Sequence, residues 1–314
     1  MNTLAIIMQA PKDLRLDRVN LIPPGEDDVV IDVEWSGVSA GTERLLWDGR
    51  MPHFPGMGYP LVPGYESVGR VIDAGRNAKT RVGERVFVPG ANCYTDVRGL
   101  FGGAARRLVT PAKRVATVRD DTASHEAVLL ALAATAQHAL AARGARPPEL
   151  IIGHGALGRL LARLTIAHGH APPVVWERDA ERRKGAHDYP VIDPATDERR
   201  DYACIYDVSG DASLIDKLVG HLAHGGEIVL AGFYEQRPSF NFAPAFMREA
   251  RLRIAAEWQP NDLASVQAHI ATGALALGGL ITHRREAAAA SDAYQIAFED
   301  STCLKMVLDW RTCS

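Results

Sequence analysis

Apolar residues recur along this chain with two different periods, and the change from one to the other falls near residue 120. Before it, short β-branched runs at 4–8, 29–33, 69–72 and 85–89 are separated by Gly and Pro turns. A period of two sends alternate side chains to opposite faces, so these runs predict strands. No stretch between them is long enough for a helical crossover, which points to a compact β-rich domain over residues 1–123. Residues 124–143, SHEAVLLALAATAQHALAAR, then predict an Ala- and Leu-rich helix with Ser124 as its N-cap. Six apolar strands at 150–152, 174–176, 190–192, 203–207, 227–231 and 252–255 follow, with helical segments intervening. That alternation predicts a doubly wound parallel sheet within a second domain, 124–257. Residues 258–314 supply a helix at 262–272, a segment at 280–284, a second Ala-rich helix and a last strand at 304–308. These are expected to return to the first domain.

The first turn of the second domain carries the clearest chemistry. Gly153, Gly155 and Gly158 stand in G-x-G-x-x-G spacing between the strand 150–152 and a helix whose apolar face is Leu157, Leu160, Leu161 and Leu164. In that setting the first glycine permits the turn, the second lets the backbone approach a pyrophosphate, and the third lets the helix pack on its strand. The next strand ends on Glu177, where a carboxylate would accept the ribose hydroxyls of NAD. Leu157, in the helix's first turn, and Arg178, beside Glu177, complete the expected cofactor contacts. Arg178, Arg182 and Arg183 keep NADP open as an alternative, and a glycine-rich turn without a ligand is the plainer reading of the motif.

Composition narrows the partners. The chain has 314 residues, 47% hydrophobic and 23% charged, with a formal net charge of −3. This is an ordinary globular mixture that gives no reason to expect nucleic acid or an anionic membrane as a partner. Cys93, Cys204, Cys303 and Cys313 form no C-x-x-C pair, which favours a reducing cytoplasm. The longest apolar run, 127–134, is far short of a membrane span, and the N-terminus reads as a strand rather than a leader.

Several segments, in order, resemble the medium-chain dehydrogenase/reductase superfamily. The run 60–69, PLVPGYESVG, is similar to the superfamily's G-H-E segment. The run 135–139 is similar to its linker helix, and 225–229 to its fifth nucleotide-domain strand. The likeness spans essentially the whole chain and implies an α/β protein: a GroES-like β-rich catalytic domain plus a Rossmann doubly wound parallel sheet. Within the superfamily, SGVSAGTERLLWDGRMPHFPGMGYPLVPGYE, VPGANCYTDVRGLFGGA, LITHRR and FEDSTCLKMVLDW resemble the dehydrogenases of bacteriochlorophyll synthesis. That resemblance implies NAD-dependent oxidation of a 3-(1-hydroxyethyl) group on a tetrapyrrole ring to 3-acetyl. It also implies a homodimer paired through the nucleotide domain. A quinone or enoyl reductase on the same fold, or a non-catalytic nucleotide-binding protein, are the alternatives.

The sequence departs from the superfamily's zinc members at their ligand positions. Ser39 or Ala40 stands where a Cys is expected, Tyr65 replaces the His of G-H-E, and only Cys93 remains of the four-cysteine structural lobe. Without thiolate and imidazole donors, no metal is expected. An oxygen-rich set from Tyr65, Glu66 and Asp96 is the alternative. Something else must then manage the alcohol proton, and Thr42, Tyr65 and Glu66 are the candidates. Thr42 matches the superfamily's relay hydroxyl or caps a turn for Glu43. Tyr65 orients the substrate oxygen or simply packs, and Glu66 is a terminal base or a structural carboxylate. His53, His138, His154 and His283 read as loop, linker-helix, phosphate-turn and domain-interface residues. Met51, Phe54, Met57 and Tyr59 crowd an apolar loop suited to a flat macrocycle, or to a loop core. Arg106 and Arg107 would pair with the substrate's propionate, or are ordinary strand arginines.

Overall fold

The structure is a computed structural model and describes residues 1–53 and 55–313. Two compact units are present, Met1–Ala131 with Gly278–Ser314, and Leu132–Leu277.

The first unit is built from two sheets. The smaller runs Asp13–Asn20, Asn2–Ala10, Leu61–Val62, Arg98–Gly99. The larger runs His283–Glu286, Met306–Asp309, Asp28–Val38, Ser67–Ala74, Arg85–Val88, Ala116–Thr117, with Arg107–Pro111 also paired to Asp28–Val38. The long central strand, DVVIDVEWSGV, is buried along nearly its whole length, because other strands and the unit's core leave it no solvent face. The C-terminal strand pairs antiparallel with it, Met306 opposite Val38 and Asp309 opposite Trp35. This register makes the chain's last residues part of the first unit's core, where Tyr294, Phe298, Met306, Leu308 and Trp310 are buried.

The second unit holds six parallel strands in the order Val191–Ile192, Val174–Trp176, Leu150–Ile152, Tyr202–Asp207, Leu222–Leu230, Arg251–Ile254. This is the doubly wound arrangement, with its reversal point at Leu150–Ile152, the strand that precedes the glycine turn.

Three expectations need correction. The segment 124–143 is a 3-10 turn, Glu126–Leu129, followed by the helix Leu130–Ala141, and Ser124 caps neither. Helices do not intervene everywhere: residues 193–201 join the third and fourth strands without one. The helix Pro260–Ala271 belongs with the second unit, so the chain rejoins the first unit at Gly278 rather than near 258. Among the described residues, no helix is long and apolar enough to cross a membrane.

Candidate active site

In the first unit the strand Asp28–Val38 ends in a turn that leads into the short helix Thr42–Asp48, and the strand Leu61–Val62 leads into Tyr65. Three hydroxyls meet there. Ser39 Oγ lies 2.6 Å from Tyr65 Oη and 3.0 Å from Thr42 Oγ1, and Thr42 Oγ1 lies 2.9 Å from Tyr65 Oη. Each hydroxyl has one proton and two lone pairs. In a closed ring each oxygen donates once and accepts once, which leaves one lone pair per oxygen to receive an alcohol proton. Burial and the neighbouring Glu66 carboxylate push the Tyr65 phenol up, so it stays protonated at neutral pH and acts as a neutral donor and acceptor. The Phe101 ring packs edge-on against Tyr65, with centroids 5.2 Å apart.

Thr42 and Tyr65 are therefore brought together, and Ser39 joins them in a role the sequence reading gave it only as a missing metal ligand. Glu66 is not part of the ring. Its side chain is fully buried and ion-paired with Lys305, itself 3% exposed, and Oε1 accepts no hydrogen bond. A terminal base must exchange its proton with water, and this carboxylate is sealed beside a cation, so the structural alternative describes it better. Asp96 accepts from the Asn20 backbone N–H and side-chain amide instead of joining Tyr65 and Glu66. Neutral hydroxyls are poor zinc donors, and the thiol of Cys93 is buried and pushed up to about 11. The residues present thus do not fit a zinc ion.

Glu43 entered the sequence analysis only as the residue a Thr42 turn cap would serve, not as a member of the site. It is fully buried, Oε1 accepting the Ser39 N–H at 3.0 Å and Oε2 the Tyr294 hydroxyl at 2.7 Å. Burial, opposed by those hydrogen bonds, pushes its carboxyl up to about 7 from 4.5. The unfolded chain therefore releases this proton first, and the stability present below the ordinary pKa is lost as pH rises through about 7. Glu43→Gln should remove that loss, on the order of 3 kcal/mol between about pH 5 and pH 8. Urea unfolding of both proteins at the two pH values checks it, and parallel pH dependence would refute it.

The expected substrate contacts divide. Met51, Met57 and Tyr59 are half-buried against the first unit's core, with the Tyr59 hydroxyl donating to the Leu46 carbonyl. Phe54 lies outside the described residues. Arg106 and Arg107 both clasp Asp32, at 3.2 and 2.8 Å, and Arg106 also donates to the Val33 and Cys313 carbonyls. One carboxylate between two guanidinium groups leaves a net positive charge there, and their pairing with a propionate stays a proposal.

In the second unit, Gly153 adopts φ +101°, a backbone conformation open to glycine. A Cβ on Gly158 would strike the Gly153 carbonyl, which accounts for the third glycine. Gly155 caps the helix Ala156–Ala167 without a side-chain hydrogen bond, and no atom lies within 4 Å of where its Cβ would be. The unpaired N–H groups of this first turn, including those of Leu157 and Gly158, thus border a space that a pyrophosphate would fill. Glu177 is held at its strand end by the backbone N–H of His154 at 3.2 Å and of Asp179 at 2.9 Å. Arg178 is exposed, whereas Arg183 turns to Asp193 and the Glu177 carbonyl. These residues fit a dinucleotide. His154 is fully buried between the Arg182 carbonyl and the Tyr189 hydroxyl, and burial lowers it to about 4, so it is a neutral packing residue. His138 bonds Asp262, His283 bonds Thr282, and His53 is exposed.

Residues 25–120 match the alcohol dehydrogenase GroES-like domain. The chain is 59% identical over 316 residues to the 2-desacetyl-2-hydroxyethyl bacteriochlorophyllide A dehydrogenase of Cereibacter sphaeroides, covering 99% of both proteins. It is 59% identical over 312 residues to the protein of the same name from Rhodobacter capsulatus, again covering 99% of both. Among solved structures, an alcohol dehydrogenase from Escherichia coli CFT073 complexed with NADH superposes with a TM-score of 0.84, at 21% identity, covering 98% of this chain and 99% of that one. The two-unit fold, the glycine turn and whole-length identity together show that this chain belongs to the 2-desacetyl-2-hydroxyethyl bacteriochlorophyllide A dehydrogenase family, within the medium-chain dehydrogenases.

Proposed function

We propose that this protein oxidises the 3-(1-hydroxyethyl) group of a bacteriochlorophyllide-type tetrapyrrole to 3-acetyl, using NAD and no zinc. The observation that carries this reading is the Ser39, Thr42 and Tyr65 hydroxyl ring, two of whose members, Ser39 and Tyr65, fall by resemblance at ligand positions of the superfamily's zinc members. The activity for which the 59% identical relatives are named supports the substrate. When bound, the dinucleotide supplies the acceptor for a hydride from the hydroxyethyl carbon. The chain's own part is to hold the alcohol oxygen and take its proton. As the carbonyl forms, an alcohol donating into the ring passes its proton to one hydroxyl while the partly exposed Thr42 hydroxyl releases its own to solvent water, so each ring oxygen gives up one proton as it takes one and stays neutral. Glu43, bonded to the Ser39 N–H, keeps the turn in place. Glu177 supports NAD over NADP, because a carboxylate pinned by two backbone N–H groups accepts ribose hydroxyls and repels a 2′-phosphate.

Purified protein, assayed anaerobically with the hydroxyethyl pigment, is expected to yield the acetyl pigment with NAD, to work poorly with NADP, and to keep its activity in chelator. Turnover of a quinone in place of the pigment would refute the substrate. About one zinc per chain, lost together with activity, would refute the metal-free reading.

We also propose a homodimer paired through the outer strand Arg251–Ile254. Support comes from its apolar surface: Ile254 is 77% exposed, and Phe242, Phe246 and Met247 are exposed beside it in sequence and on the adjoining helix. An unpaired strand edge with such a surface favours another chain. Ile254→Lys should run at the single-chain mass of 34.0 kDa in light scattering where the parent runs at twice that. A parent protein at single-chain mass would overturn the dimer. A reducing cytoplasm suits the four free cysteines.

A further inference from the structure

We infer that Arg98 is the residue that binds the substrate's propionate carboxylate and so sets specificity for the free acid; this rests on the proposed tetrapyrrole substrate. Arg106 and Arg107 share the one carboxylate of Asp32, whereas an acidic, otherwise apolar ligand is best met by a cation near the hydroxyl ring that faces no carboxylate of its own. Arg98 meets that need by position. Its strand, Arg98–Gly99, runs parallel to Leu61–Val62, with Arg98 opposite Leu61 and Gly99 opposite Val62. Both strands then lead to the ring: Tyr65 lies on one continuation, and Phe101, which packs on Tyr65, lies on the other. Four steps of chain lead from Leu61 to Tyr65, a reach of about 14 Å at most. A tetrapyrrole carries its hydroxyethyl and propionate groups on different pyrrole rings, so the two recognition groups must be set apart in this way.

The surroundings of Arg98 agree. The side chain is exposed, and among the described residues no carboxylate pairs with it. Arg81 and Arg85, by contrast, rest on Glu84 and Glu34. One nitrogen, Nη1, donates to the Met57 carbonyl at 2.9 Å and fixes the guanidinium against the methionine-bearing loop. Gly58 leaves the room for this, since a Cβ there would collide with the guanidinium. The planar group keeps its remaining N–H donors for a carboxylate, beside the half-buried Met57 and Tyr59 that would meet the macrocycle.

The test compares the hydroxyethyl bacteriochlorophyllide with its propionate methyl ester on wild-type, R98M and R98K proteins at saturating NAD. Wild type should favour the acid through KM. In R98M the KM for the acid should rise by about 10–100-fold, to the value for the ester, with kcat within about twofold. R98K, which keeps the charge but not the fork, should fall between. Equal acid-to-ester ratios in wild type and R98M would overturn the inference, as would a wild type that turns over both forms equally. A wild type inactive on the hydroxyethyl pigment would refute the substrate reading itself and this inference with it. If R98M melts well below wild type, R98K decides, and an unchanged acid preference there counts against Arg98.

Discussion

Gly155→Val is expected to abolish NAD binding while leaving the protein folded. The backbone at Gly155, φ −73° and ψ −174°, is one that valine adopts readily, and nothing lies within 4 Å of the new Cβ. The cost to folding is therefore confined to a poorer helix cap, about 1 kcal/mol. The methyl groups would occupy the space in front of the first helical turn, where the pyrophosphate must approach the N–H groups. A rise of at least about 100-fold in the NADH dissociation constant is expected, read by fluorescence titration, with little change in melting temperature. Gly158→Val makes the contrast, since its side chain collides with the Gly153 carbonyl and the lesion is in the fold. NADH affinity within about threefold of wild type in a folded Gly155→Val protein would remove the basis for placing the cofactor at this turn.

Removing a hydroxyl from the ring should act on chemistry instead of binding. Tyr65→Phe deletes the oxygen that contacts both Ser39 and Thr42, and Thr42→Val deletes one that contacts both Ser39 and Tyr65, each with nearly the same shape. Either change opens the ring and removes a lone pair that would receive the alcohol proton. Turnover of the hydroxyethyl pigment is expected to fall by about 10²–10⁴-fold, with NAD affinity unchanged. The Tyr65 phenol is held protonated, so the loss should be similar across the neutral range and not appear as a new ionisation. Both variants turning over at wild-type rates, with a deuterated hydroxyethyl carbon showing that hydride transfer limits the rate, would exclude the ring from proton transfer.

Much of this architecture is written locally. The two periods of apolar residues specify which stretches are strands, because burial on a sheet is decided within a few residues of chain. The glycine turn is legible for the same reason: a φ of +101° at Gly153 and the close approach at Gly158 are demands of adjacent backbone, and only glycine meets them. Glu177 is similar, its place at a strand end following from the length of one βαβ unit. The helix at 124–143 was less legible, because an Ala- and Leu-rich run does not say where a 3-10 turn gives way to α-helix.

The site's partnerships belong to tertiary structure. Glu43 bonds Tyr294, 251 residues away, and no local signal links them. Glu66 became half of a sealed ion pair because the register that sets Met306 opposite Val38 brings Lys305 alongside Gly37, whose missing side chain leaves room for both charges. Asp32 holds Arg106 and Arg107 because two strands distant in sequence pair with Asp32 opposite Arg107. The sequence by itself determined the strands of the parallel sheet and several of the first unit's, though not Asp13–Asn20 or Arg107–Pro111, together with the glycine turn and the absence of thiolate and imidazole at the former ligand positions. Which hydroxyls close into a ring, and which charges face one another, was decided only by the folded packing, because burial and pairing between distant residues are not properties of any segment.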